Sequence, residues 1–125
     1  MGIVADGPVL IVEDSAETRS VLRMILDMRG YETVIAEDGL DALSYLRGGG
    51  RPSVVVLDVR MPNMDGITFQ RVLRDDPRWA SIPVVIFSAF PPQDTGGALA
   101  IVPKGNTNPD VLLGAIAGAC GRMTS

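Results

Sequence analysis

Apolar positions along this chain follow two rhythms. Short runs rich in β-branched residues alternate with stretches where apolar residues return every three or four positions. Pro8-Val9-Leu10-Ile11-Val12 reads as a strand buried on both faces, as parallel strands are. A helix opens at Ser15 or Ala16 with an apolar face of Val21, Leu22, Ile25 and Leu26, and Gly30 stops it. Residues 32–36 form a second, more amphipathic strand suited to a sheet edge. The next helix, over residues 39–47, turns Leu40, Leu43 and Leu46 inward and ends at Gly48-Gly49-Gly50. Ser53-Val54-Val55-Val56-Leu57 is the clearest central strand. Residues 67–74 have helical spacing through Phe69, Val72 and Leu73, ending near Asp76-Pro77. Residues 82–87 make a fourth strand and residues 99–102 a weaker fifth. A last helix has Asn108 as N-cap, Pro109 in its first turn and Asp110 near its positive end, and runs to about Cys120.

Strand–helix alternation repeated in this way implies an α/β fold, with right-handed crossovers and helices on both faces of a parallel sheet. Neither an internal repeat nor a linker is visible. The expected organisation is one domain over residues 8–121, with a disordered N-terminus at residues 1–7 and a tail at 122–125. Sheets of this kind carry their sites at the carboxyl ends of the strands, near a topological switch point.

Composition narrows the class. With 125 residues, 46% hydrophobic and 21% charged, the chain suits one globular core. Its net charge is −4, and no Lys/Arg run is long enough to track a phosphate backbone, so direct nucleic-acid binding is not expected. The single cysteine, Cys120, cannot form an internal disulfide and reads as a small buried hydrophobe in an apolar run. Absence of histidine removes imidazole metal ligands and general bases. No signal peptide and no membrane-spanning run is evident, so a cytoplasmic location is expected.

The expected strand ends are acidic. Glu13-Asp14 follows the first strand and Asp58 the third, while Ser88 and Lys104 end the fourth and fifth. Any one of these has an ordinary use, as a helix cap, a turn residue, a satisfied hydroxyl or a solvated charge. Together they stand on one edge of the predicted sheet. Three converging carboxylates would repel, so one should titrate above its ordinary value unless a cation compensates. A hard divalent cation with oxygen ligands, Mg²⁺, answers that need, and nothing offers a zinc ligand set.

These residues resemble a known family. Val9-Leu10-Ile11-Val12-Glu13-Asp14 is similar to the start of bacterial response-regulator receiver domains. Residues 57–66, Leu-Asp-Val-Arg-Met-Pro-Asn-Met-Asp-Gly, are similar to that family's phosphorylation loop. The resemblance runs from residue 8 to about 121. It implies a flavodoxin-like, doubly wound sheet of five parallel strands in the order 2-1-3-4-5. It also implies that Asp58 is the nucleophile that carries an acyl phosphate. By the same resemblance, Asp14 and Asp58 ligate Mg²⁺, the Arg60 carbonyl joins them, and Glu13 helps through a water. Lys104 pairs with phosphoryl oxygens, and Ser88 is the switch hydroxyl. The implied donor is a histidine kinase or phosphotransfer protein of a phosphorelay. The downstream protein or output domain and the oligomeric state stay open.

Three departures bear on output. Only sixteen positions separate Ser88 from Lys104 (88 to 104), and Phe90-Pro91-Pro92-Gln93 with Gly96-Gly97 is poor helix interior, so the family's fourth helix is expected to be short or missing. Ile101 stands where the family often has an aromatic switch residue. Pro103 precedes Lys104 and Gly105 follows it, where the family has a Lys-Pro step. Signalling is therefore expected through a modified surface of the fourth and fifth strands and last helix. A degenerate receiver acting as a phosphorylation-independent scaffold is the alternative. A small Mg²⁺-dependent phosphatase ranks below both, because Arg60 stands where a second catalytic acid would be needed. A signalling module rather than a turnover enzyme is expected.

Overall fold

The structure, a computed structural model, describes residues 7–59, 64–89, 98–104 and 109–120, apart from the side chain of Cys120. Along the chain the elements are β1 (Val9–Val12), α1 (Ala16–Met28), β2 (Thr33–Ala36), α2 (Gly39–Arg47), β3 (Val54–Leu57), α3 (Gly66–Asp75), β4 (Val84–Ser88), β5 (Ala100–Pro103) and α4 (Pro109–Cys120). The strands form one parallel sheet in the order β2-β1-β3-β4-β5. The order reverses between β1 and β3, which opens a crevice at their carboxyl ends.

Each central strand is buried on both faces, and alternation sends its side chains to two separate cores. On one face Val9, Ile11, Val54, Val56, Val85 and Val102 meet Leu22 and Leu26 of α1 and Leu112, Leu113 and Ile116 of α4. On the other, Leu10, Val12, Val55, Leu57, Val84 and Ile86 meet Ala42, Leu43 and Leu46 of α2 and Phe69 and Leu73 of α3. Helices α1 and α4 therefore cover one side, α2 and α3 the other.

Local signals set the helix ends. Ser15 caps α1 by accepting from the Thr18 N–H at 3.2 Å, and Asp38 caps α2 through Asp41 at 2.8 Å. Gly30 leaves α1 at φ +84°, a left-handed turn that suits glycine. Two expected core residues are corrected. Val21 is 45% exposed and Leu40 is 49% exposed. The stripe of α1 that meets the sheet is centred on Leu22 and Leu26, and a residue one position away is turned by about 100°. In α2 the same rotation places Leu40 outward, because its neighbour Gly39 is the residue buried against Met64.

Of the expected N-terminal tail, Gly7 lies among the described residues, and its carbonyl accepts from the Ser53 hydroxyl at 2.8 Å. The expectation for the helix between the fourth and fifth strands falls on residues 90–97, outside the described residues. So do the Asn108 cap and the Cys120 side chain.

Candidate functional site

Glu13, Asp58 and Lys104 each stand one residue beyond the end of a strand, and the backbone ladder runs on to reach them. The Glu13 N–H donates to Ala36, that of Asp58 to Val12 and that of Lys104 to Ser88, each at 3.0 Å. Three strands thus deliver three side chains to one place with little freedom. Lys104 Nζ lies 2.5 Å from Glu13 Oε1 and 3.0 Å from Asp58 Oδ2, so one ammonium bridges both carboxylates. Glu13 is 2% exposed and Asp58 7% exposed, whereas Asp14 faces solvent. One oxygen from each of Glu13, Asp14 and Asp58 falls within a cluster no wider than 4.8 Å.

The surroundings hold this cluster still. Glu13 Oε2 accepts from the Ser15 N–H at 3.2 Å, tying the acid to the start of α1. Arg19, one turn into α1, reaches back and donates Nη1 to the carbonyls of Glu13 at 2.8 Å and Asp14 at 3.1 Å. Its other nitrogen stands 3.8 Å from Glu37. Behind Asp58, the Gly66 N–H donates to the Val59 carbonyl at 2.8 Å and closes the loop between β3 and α3. A Cβ on Gly66 would lie 2.7 Å from the Asp58 carbonyl oxygen and 2.7 Å from Val59 Cα, so only glycine allows α3 to start so near.

Charge at the site is unbalanced. Burial pushes the Glu13 carboxyl up to about 7. Lys104 and the Ser15 N–H oppose this, while the Asp58 charge and Asp14 add to it. Burial alone would lower Lys104, but its contacts with Glu13 and Asp58 prevail and hold it above its ordinary value. The ammonium stays charged, and Glu13 holds a proton more readily than an ordinary carboxylate does. Three carboxylates against one ammonium suit a hard divalent cation. All the donors are oxygens, as Mg²⁺ requires, and of the three acids Asp14 is the one open to solvent, while Glu13 and Asp58 are buried at the strand ends.

Of the residues expected from the sequence, Glu13, Asp14, Asp58 and Lys104 come together. Ser88 closes β4 on the same edge, 1% exposed, with its carbonyl taking the Lys104 N–H. Arg60 lies outside the described residues, and so does its carbonyl. Arg19 was not foreseen. Its signal is a cation in the first turns of a helix, where the dipole disfavours positive charge unless something nearby needs it.

A family model for the response regulator receiver domain matches residues 9–102. The chain belongs to that family. Among curated relatives, a protein-glutamate methylesterase/protein-glutamine glutaminase of Anaeromyxobacter dehalogenans is 43% identical over 83 residues. The match covers 66% of this chain and 22% of that protein. The polar-differentiation response regulator DivK of Brucella anthropi is 34% identical over 82 residues, 66% of each chain. Among solved structures, the Vibrio cholerae chemotaxis protein CheY4 superposes with a TM-score of 0.81 at 28% identity, covering 90% of this chain and 98% of that one. The response regulator TrrA of Thermotoga maritima, in complex with Mg²⁺-BeF, gives 0.81 at 25% identity with the same coverage. This receiver therefore has the family's fold and an acid cluster compatible with Mg²⁺ and phosphorylation. Ile101, at the position expected to differ from the family's aromatic, is half-buried against the core beneath α2 and α3. Lys104 Nζ lies 5.9 Å from the Phe87 ring centroid, so an aromatic does border the lysine, from β4. Among the described residues, no helix is long and apolar enough to cross a membrane.

Proposed function

We propose that this receiver takes a phosphoryl group onto Asp58 from a phosphohistidine of a histidine kinase or phosphotransfer protein in the cytoplasm. The observation that carries this is the single ammonium of Lys104 bridging Asp58 and Glu13 inside a cluster of three carboxylates. An Asp58 oxygen attacks phosphorus, the donor's N–P bond breaks, and an acyl phosphate forms. Lys104 shifts from the carboxylate to the incoming phosphoryl oxygens, where its charge opposes the build-up of negative charge. Asp14 and Asp58 would hold Mg²⁺, with Glu13 assisting, and Arg19 fixes the backbone from which Glu13 and Asp14 project. Bound Mg²⁺ supplies charge neutralisation for the transferred group. That the Thermotoga relative is found in complex with Mg²⁺-BeF supports a role for Mg²⁺ in this receiver.

Ser88, on the strand that pairs with β5, answers the new charge with its hydroxyl and passes the change to the β4–β5 surface. The donor is expected to seat against α1. That helix starts at the acid site and exposes Val21, Met24 and Met28 at helical spacing.

Intact mass after acetyl phosphate treatment tests the chemistry. A phosphoryl adduct is expected with Mg²⁺, none with EDTA, and none in Asp58→Asn. A folded protein that gains no adduct under any condition sinks the proposal. Met24→Glu should slow transfer from a kinase while leaving acetyl phosphate labelling unchanged.

A further inference from the structure

A second concavity lies at the other end of the sheet, where β3 and β4 begin. Its volume is about 630 Å³, within the usual range for small-molecule sites. Arg47, Arg51 and Arg78 line it together with Trp79, Pro52 and Ile82, and none of its described lining residues is acidic. Three guanidinium groups on one concavity stand out in a chain of net charge −4. Arg47 and Arg51 are exposed and unpaired with any carboxylate within salt-bridge distance among the described residues. Arg78 is held flat, its Nε 3.1 Å and its Nη2 2.8 Å from the two oxygens of Asp76, with its carbon 4.5 Å over the Trp79 ring centroid. The result is a planar cation lying over a buried indole while its own side chain stays 65% exposed, where a second flat ring can pack against it.

The walls are built rather than loose. Arg74 Nη1 donates to the Ala80 carbonyl at 2.9 Å and the Ile82 carbonyl at 3.2 Å, fixing the turn behind the concavity. Across from it, Gly49 turns at φ +100°, and a Cβ on Gly50 would fall 2.4–2.6 Å from the Tyr45 ring. Glycines here leave the mouth without side chains between Arg47 and Arg51.

We propose that this concavity binds a nucleoside phosphate. Its base stacks on the Arg78–Trp79 pair, and its phosphates take the forked guanidinium groups of Arg47 and Arg51. The site does not depend on the chemistry at Asp58, which lies at the opposite edge of the sheet.

Trp79, the chain's single tryptophan, lines the site and reports on it directly. The full chain would be titrated with ADP, GDP, pyrophosphate and adenosine in EDTA, following tryptophan emission and calorimetry. A saturable response to ADP or GDP is expected, weakened roughly tenfold by Arg47→Gln or Arg51→Gln, each tenfold being about 1.4 kcal/mol. Both residues are exposed, and unchanged melting curves would confirm that the variants fold. Pyrophosphate matching the nucleotides overturns the ring-stacking assignment. Binding unaffected by both substitutions, or no binding at millimolar ligand, overturns the site.

Discussion

Gly66 packs against backbone where no methyl group fits, and Gly66→Ala therefore probes how firmly the acid site is held. A new Cβ would sit 2.7 Å from the Asp58 carbonyl oxygen and from Val59 Cα, whereas ordinary contact begins at 3.4 Å. Relief requires a movement of about 0.7 Å (3.4 − 2.7), and both obstacles are backbone, so the start of α3 and the loop bearing Asp58 must part. Overpacking of this kind costs about 1–3 kcal/mol, less a few tenths from better helix propensity. For a domain of this size that lowers the melting temperature by about 5–10 °C. The same displacement moves Asp58, the nucleophile proposed above, and about 1 Å of misplacement can cost on the order of a hundredfold in rate, so labelling by acetyl phosphate should slow at least tenfold. Gly114→Ala is the matched control. Gly114 is exposed in α4 with nothing near its missing Cβ, and alanine there should stabilise by about 0.5–1 kcal/mol and leave labelling untouched. Thermal melts and timed intact-mass measurements on both variants decide the matter. A Gly66→Ala protein with wild-type melting and wild-type labelling would refute the packing argument for Asp58.

Mg²⁺ should raise the melting temperature, because it binds the folded cluster only, and saturation at a hundred times Kd is worth about 2.7 kcal/mol. Asp14→Asn should abolish the gain, and a melt unmoved by millimolar Mg²⁺ would contradict the assembled site. In EDTA, Glu13 holds its proton more tightly folded than unfolded, with values near 7 and 4.5. Its contribution is therefore fully present below about pH 4.5 and is lost as pH rises to about 7. Glu13→Gln should remove on the order of 2 kcal/mol of that decline, seen as a flatter melting temperature between those pH values. Arg19→Met should weaken Mg²⁺ affinity several-fold by freeing the Glu13 and Asp14 carbonyls, with a smaller change in metal-free melting. Equal Mg²⁺ affinity in the variant would leave Arg19 a purely structural residue.

Much of the fold was legible because its strands are buried on both faces. Runs such as Val54 to Leu57 have few other uses, and the acids that follow them were found by that route. The helices were read less well. Val21 and Leu40 are apolar and correctly spaced, yet a helix shows the sheet a narrow stripe, and spacing alone does not fix where its centre lies. At the site, residue types gave Glu13, Asp14, Asp58 and Lys104, but not the fact that one ammonium spans two acids, which depends on strand register. Arg19 was invisible as a site residue because its role lies in a side chain folding back on two carbonyls. The arginine-lined concavity was missed for a similar reason. Arg47 and Arg51 are thirty or so positions from Arg78, and no charge run in the sequence announces them.

Pro103 has a consequence for how copies of this protein meet. It ends β5, the edge strand of the sheet among the described residues, and the next residue's N–H is directed inward to Ser88. Backbone groups alternate in direction along a strand, so the nitrogen of Pro103 faces outward, where it has no hydrogen to give. A strand from another molecule that tried to extend the sheet here would leave an acceptor unmatched, a loss of about 1–3 kcal/mol on a stretch of four residues. The outer flank next to Lys104 is thereby guarded against edge-to-edge aggregation by the residue that precedes that lysine.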